Sequence, residues 1–166
     1  MKLASALLAL SLFALPAAAG TLDKPAPKLT ARTLDGKTFD LSAQKGKVVI
    51  VSFWATWCAP CRAEMPALEA YYKAHKAEGL ELVAISMDDP DKDKAVARIM
   101  SGYTFPGAHG RDAKFDGYGH VGFLPVAFIV DRGGVVRWDG NAQPNPVAFD
   151  AAKLEATVTP LLKARS

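Results

Sequence analysis

The sequence has few of the residues that build metal sites or disulfide frameworks. It contains two cysteines and three histidines among 166 residues. Structural zinc usually takes four ligands, and His75, His109 and His120 lack the paired spacing of such sites. One cysteine pair also cannot provide the several cross-links on which small secreted domains depend. We therefore expect neither a structural metal nor a disulfide scaffold, and the sequence predicts no cofactor.

Strong charge and repetition are also missing. Lys and Arg number 20 against 17 Asp and Glu, which gives a formal net charge of +3. A nucleic-acid-binding domain normally has a much larger basic excess, so nucleic acid is not an expected partner. There is no internal repeat, and half of the residues are hydrophobic. This composition indicates one globular domain with an apolar core.

The two cysteines, Cys58 and Cys61, have the spacing of a redox-active pair. They follow a run of apolar residues at 48–53 and precede a helical pattern. A helix that begins at Cys58 directs free backbone N–H groups and its positive dipole end at the sulfur, which favours the reactive thiolate. Cys61 lies one helical turn further on and can attack a mixed disulfide formed on Cys58. An inert structural disulfide is a poor alternative, because so short a loop adds little stability.

The N-terminal residues resemble a secretory signal. Lys2 precedes an apolar stretch over residues 3–15, and small residues follow at 17–19. We predict a signal peptide at 1–19, with an uncleaved N-terminal anchor as the alternative, and one domain at 20–166. The domain is then periplasmic or otherwise extracytoplasmic. A free dithiol in such an oxidising compartment requires a dedicated reductant.

The hydrophobic pattern predicts alternating strands and helices. Residues 29–41 are typical of a β-hairpin with Asp35-Gly36 at its turn, and 47–53, 80–87 and 126–130 are typical of buried strands. Helices are predicted after the cysteines, over 90–101 and over 149–164, with one helical turn within 112–118. This order predicts an α/β sandwich with helices on both faces of a mixed sheet.

Two motifs resemble those of thioredoxin-fold proteins, in the branch of TlpA/ResA-like thiol:disulfide interchange proteins. They are VIVSFWATWCAPCRAEMP at 49–66 and LPVAFIVD at 124–131. The resemblance implies a thioredoxin-like fold, a central mixed sheet flanked by helices, with an N-terminal β-hairpin extension. It also implies a cis proline at Pro125 beside the dithiol. Trp57, Leu124 and Pro125 are the residues expected to contact the substrate.

The resemblance further implies a protein partner that carries a disulfide or dithiol, and a membrane-borne thiol reductant. In the family, the substrates are the haem-site cysteines of apocytochrome c or the copper-site cysteines of an oxidase. We expect the protein to act as a disulfide reductase, because Ala59-Pro60 adds no positive charge to stabilise the reduced form. We also expect it to be a monomer.

The sequence departs from the thioredoxin pattern at two positions. Cytoplasmic thioredoxins have a buried aspartate on the strand before the motif, and Ser52 occupies the matching position here. Glu64 lies three residues after Cys61, on the same side of a helix, and the TlpA/ResA-like branch uses a glutamate there in proton handling. We therefore predict Cys58, Cys61 and Glu64 as the catalytic residues. The second departure is Val126, where the family commonly has threonine.

Two other functions use the same cysteines. A copper metallochaperone would bind Cu(I) through both sulfurs, although copper-delivery proteins of this fold typically space their cysteines differently and add a histidine. A peroxidase of the peroxiredoxin class is less consistent with the sequence. That class needs a peroxidatic cysteine without an immediate resolving partner, and Thr56-Trp57-Cys58 lacks the expected context.

Overall fold

The fold is an α/β arrangement, seen in a computed structural model that describes residues 20–164. The predicted signal segment, 1–19, lies outside the described residues. The strands are β1 (Thr30–Thr33), β2 (Thr38–Asp40), β3 (Val48–Trp54), β4 (Leu80–Ser86), β5 (Gly107–Lys114), β6 (Val126–Val130) and β7 (Val136–Asp139). The α-helices are α1 (Ala59–His75), α2 (Asp93–Met100), α3 (Ala151–Thr157) and α4 (Thr159–Lys163). Between residues 20 and 164, no helix is long and apolar enough to cross a membrane.

The seven strands form one mixed sheet in the order β2-β1-β5-β4-β3-β6-β7. β3 lies inside the sheet, parallel to β4 and antiparallel to β6, and all seven of its residues are buried. The predicted N-terminal hairpin is confirmed: β1 and β2 pair with Asp35-Gly36 in the connection, and Gly36 has φ 83°. β1 then pairs with β5, which joins the hairpin to the sheet.

Two hydrophobic cores cover the two faces of the sheet, but all four α-helices pack on one of them. Alternate residues of β3 enter different cores, with Ile50 and Trp54 on the helical face and Val51 and Phe53 on the other. The mixed sheet with flanking helices is confirmed, whereas the prediction of helices on both faces is wrong. The connections β3-α1-β4 and β4-α2-β5 advance in the same direction along the sheet, so right-handed crossovers place both helices on the same side.

Two local predictions also differ from the structure. The helical turn expected within 112–118 is wrong, because β5 extends to Lys114 and pairs there with β1, and the residues after it form a non-helical turn in which Gly117 has φ 95°. The single C-terminal helix expected over 149–164 is divided into α3 and α4 at Val158. Pro160 lies in the first turn of α4 and has no N–H to donate, so a continuous helix would lose a hydrogen bond there.

Candidate active site

The cysteine pair lies where β3 ends and α1 begins. Cys58 is the N-cap of α1, and its Sγ accepts a hydrogen bond from the backbone N–H of Cys61 at 3.2 Å. The two sulfurs are joined in a disulfide. Cys58 is 4% exposed and Cys61 is fully buried, so a partner can reach only the first sulfur. The N-terminus of the helix also favours negative charge on Cys58 when the pair is reduced. The roles of Cys58 as nucleophile and of Cys61 as resolving thiol stay predictions.

Asp88 holds the loop that carries Cys58. Its carboxylate accepts hydrogen bonds from the backbone N–H of Thr56 at 2.8 Å, the Thr56 hydroxyl at 2.6 Å and the Ser86 hydroxyl at 2.8 Å. The sequence did not single out this residue. One signal was available: Thr56 and Asp88 each follow the carboxyl end of a predicted buried strand, and neighbouring parallel strands bring such ends together.

Glu64 is buried in α1, one turn beyond Cys61, and is 3% exposed. Its Oε2 accepts the backbone N–H of Phe149 at 2.8 Å. Burial raises the pKa of Glu64 to about 7, although hydrogen bonding with Phe149 N–H and with the Ser52 hydroxyl acts in the opposite direction. Ser52 occupies the position of the buried aspartate of thioredoxins, and its hydroxyl lies beside Glu64, which we predict takes over the role of that aspartate. A carboxyl group with this pKa can accept and return a proton near neutral pH.

Pro125 lies at the same edge of the sheet as the cysteines. The Leu124–Pro125 peptide bond is cis, as the resemblance implied. The next residue, Val126, is paired with Phe53 near the end of β3, so the proline-bearing loop approaches the loop that leads to Cys58. Leu124 packs against the core cluster that contains both cysteines. Trp57 is 66% exposed, where a partner can contact it.

A second exposed aromatic residue, Phe123, was not singled out from the sequence. It is 77% exposed and lies two residues before Pro125.

The three histidines are separated, since His75 is in α1, His109 in β5 and His120 in the loop before Pro125. Across the described part of the chain, no group of three or more His, Cys, Asp or Glu side chains is arranged to hold a metal ion.

Comparison with known proteins identifies one matching family and several relatives. The family model described as "AhpC/TSA family" matches residues 22–139. The thiol-disulfide oxidoreductase ResA of Bacillus thuringiensis (strain Al Hakam) is 38% identical over 117 residues. That match covers 69% of this chain and 66% of the relative, so it extends over slightly less than two thirds of the relative's length.

Solved structures of similar fold cover most of the chain. A thiol:disulfide interchange protein of the thioredoxin family from Chlorobium tepidum TLS is 29% identical, with a TM-score of 0.69, over 87% of this chain and 99% of that one. A secreted Mycobacterium tuberculosis disulfide oxidoreductase, homologous to Escherichia coli DsbE, is 26% identical. Its TM-score is 0.62, over 80% of this chain and 95% of its own. These matches confirm the thioredoxin-like fold and the resemblance to ResA-like proteins.

Proposed function

Since the chain belongs to the AhpC/TSA family, we propose that it is a thiol:disulfide oxidoreductase that uses Cys58 and Cys61 to reduce a disulfide of a partner protein. The observation that carries this proposal is the arrangement of the pair, with Cys58 capping a helix and Cys61 buried behind it. The names of its relatives, ResA and a DsbE homologue, support the same activity.

The reaction requires two exchanges of sulfur bonds. In the reduced protein, the Cys58 thiolate attacks one sulfur of the partner's disulfide, and the other partner sulfur leaves as a thiolate. Cys61 then passes its proton to the Glu64 carboxylate and attacks Cys58 Sγ. The second partner sulfur leaves and is protonated, so two electrons pass to the partner. The protein retains the Cys58–Cys61 disulfide that the structure describes.

The same proposal includes the surroundings of the reaction. Trp57, Leu124 and Pro125 contact the partner segment, and a membrane-borne thiol reductant restores the dithiol. The secreted relative from Mycobacterium tuberculosis and the predicted signal at 1–19 support a periplasmic or otherwise extracytoplasmic location. Cytochrome c maturation and assembly of an oxidase copper site are the two roles that the resemblance suggests. The protein acts as a monomer in either role.

Three measurements on the purified protein test this function. The reduced protein should reduce insulin disulfides, and Cys58→Ala should abolish that activity because the attacking sulfur is gone. Equilibration with glutathione should give a reduction potential in the reducing half of the range of about −270 to −120 mV known for this fold. Tight retention of Cu(I) by the reduced protein without any exchange of insulin disulfides would favour the metallochaperone alternative. A potential above about −150 mV would contradict the reductase direction.

A further inference from the structure

Two exposed aromatic side chains are close in sequence to Cys58 and to Pro125. The exposed large hydrophobic residues between 20 and 164 are Leu22, Leu34, Trp57 and Phe123. Single exposed hydrophobic residues are common on protein surfaces, and the two leucines are examples of this. The aromatic pair is different, because Trp57 adjoins Cys58 and Phe123 is two residues from Pro125. Aromatic side chains supply much of the binding energy at protein interfaces.

Phe123 forms one wall of a pocket of about 280 Å³. The pocket lies between the loop that leads to Pro125 and the loop that follows β7, with Val126, Asn141, Pro144 and Pro146 among its other lining residues. Pockets for drug-sized ligands are ~300 Å³ or larger. This pocket is therefore of a size for one side chain of a bound polypeptide.

The two loops that form the pocket are tied together. Asn141 Nδ2 donates a 2.6 Å hydrogen bond to the Tyr118 carbonyl, and Asp139 accepts the backbone N–H of Asn141 at 2.9 Å. Gly140 lies so close to β6 that an added Cβ would be 2.7 Å from the Ala127 carbonyl oxygen. The pocket is thus present before a partner arrives, which reduces the entropy lost on binding.

The lining of the pocket determines what it can bind. No Lys, Arg, Asp or Glu lines it, and Phe123, Val126 and two prolines provide apolar contact. The polar lining residues are His120, Asn141, Gln143 and Asn145. A charged side chain would lose hydration there, and His120 is the one lining residue that could offer it an opposite charge. An aromatic or aliphatic side chain would instead bury apolar surface against Phe123. The pocket therefore fits a neutral, apolar residue better than a charged one.

We propose that this pocket binds an apolar or aromatic residue of the partner protein, in the extended segment that carries the partner's disulfide, with Phe123 as the main contact. The inference rests on the proposed oxidoreductase function and adds a preference for particular substrate sequences. Val126, which lines the pocket, directly follows Pro125, so a segment bound along Pro125 extends toward the pocket. Trp57 contacts the segment near Cys58.

Two disulfide-bridged peptides test the preference. They are identical except for Phe or Asp next to one cysteine, and bis(2-hydroxyethyl) disulfide serves as a small uncharged comparison. The reduced wild-type protein should reduce the Phe peptide with kcat/KM at least about tenfold above the Asp peptide, or about 1.4 kcal/mol. Phe123→Ala should lower kcat/KM for the Phe peptide about tenfold more than for bis(2-hydroxyethyl) disulfide, chiefly through KM.

Two further variants separate the pocket from general effects. Leu34→Ala removes an exposed hydrophobic side chain in the β1–β2 connection and should leave all three rates unchanged. Asn145→Lys places a positive charge at the rim of the pocket and should reduce the preference for the Phe peptide by raising the rate on the Asp peptide. Equal rates on both peptides, or an equal loss of all rates in Phe123→Ala, would overturn the proposal. Failure of the wild type to reduce any of the three disulfides would instead contradict the proposed function.

Discussion

The proposed chemistry of Glu64 depends on its burial. Replacing Glu64 with Gln retains an oxygen that can accept the Phe149 N–H but removes the carboxylate that we propose accepts the Cys61 proton. We expect the fold to be kept and the resolution of the mixed disulfide to slow by about 10², the lower range for loss of a general base. In the wild type, this step should accelerate as the pH rises through about 7, because the carboxylate is the active form.

Stopped-flow measurement of partner release over pH 5 to 9 tests this role. Asp116→Asn, a change at an exposed carboxylate, provides the matched control and should retain the wild-type profile. An unchanged rate and profile in Glu64→Gln would mean that the carboxyl group takes no part in the exchange.

Asp88 is expected to act through the position of the Cys58 loop. Asp88→Ala leaves the Thr56 N–H and hydroxyl without their partner, which should cost about 1–3 kcal/mol of unfolding free energy. The reduced variant should also exchange more slowly, since the loop before Cys58 is less restrained. Asp88→Asn retains one acceptor oxygen and should recover most of the rate. Urea denaturation and the alkylation rate of Cys58 measure the two effects, and equal rates in both variants and the wild type would contradict the positioning role.

Local spacing predicted some of these residues and missed others. Cys58, Cys61 and Glu64 lie within a single stretch of helix, so their separation in sequence determines which side chains are neighbours. Asp88 contacts a residue 32 positions away, and Phe149 contacts Glu64 from 85 positions away. Such contacts depend on strand order and on the path of a loop, neither of which the spacing of residues reveals.

At the scale of elements, the N-terminus of α1 should control the redox balance of the pair. Pro60→His introduces a side chain that can be positively charged within the first turn, beside Cys58. That charge would stabilise the reduced form, so we expect the potential to rise by about 30 mV, equivalent to about 1.4 kcal/mol.

Two controls accompany the Pro60→His measurement by glutathione equilibration. Pro60→Ala reports the loss of the proline alone, and Ala74→His places the same side chain near the other end of α1. Both should shift the potential less than Pro60→His does. Equal shifts in all three variants would exclude the helix N-terminus as the controlling element.

Elements with strong hydrophobic patterns agree well with their sequence predictions. β3, β4 and β6 are mostly apolar, with Ser52, Glu81 and Ser86 as the polar residues, and each forms close to its expected limits. β5 contains Gly, Arg, Asp and Lys, so its hydrophobic pattern is weak. It reaches Lys114 because it pairs with β1, and this pairing is not evident from the sequence of β5 alone. The placement of α1 and α2 on one face similarly follows from strand order and crossover handedness.

At the scale of the whole molecule, the buried Glu64 should make stability depend on pH. Its pKa in the folded protein, about 7, is above the ordinary value of 4.5, so the folded state binds a proton more tightly than the unfolded state. The resulting stability is fully present below pH 4.5 and is lost as the pH rises through 7. Between pH 4 and pH 8, the free energy of unfolding of the oxidised wild type should fall by roughly 3 kcal/mol relative to that of Glu64→Gln.

Urea denaturation of both oxidised proteins at several pH values tests this difference, because the other titrating groups largely cancel between them. A free-energy difference that stays constant from pH 4 to pH 8 would mean that Glu64 titrates near its ordinary pKa in the folded protein.

The central claim for the whole molecule is that Cys58 forms a mixed disulfide with a partner protein and that Cys61 resolves it. The most direct test is to express the full chain with Cys61→Ala in its native host and to map trapped complexes by mass spectrometry without reduction. The account predicts a partner joined through Cys58, released by dithiothreitol and absent when Cys58→Ala is expressed instead. Recovery of Cys61→Ala with no partner attached at Cys58, while the host contains oxidised substrate proteins, would contradict it.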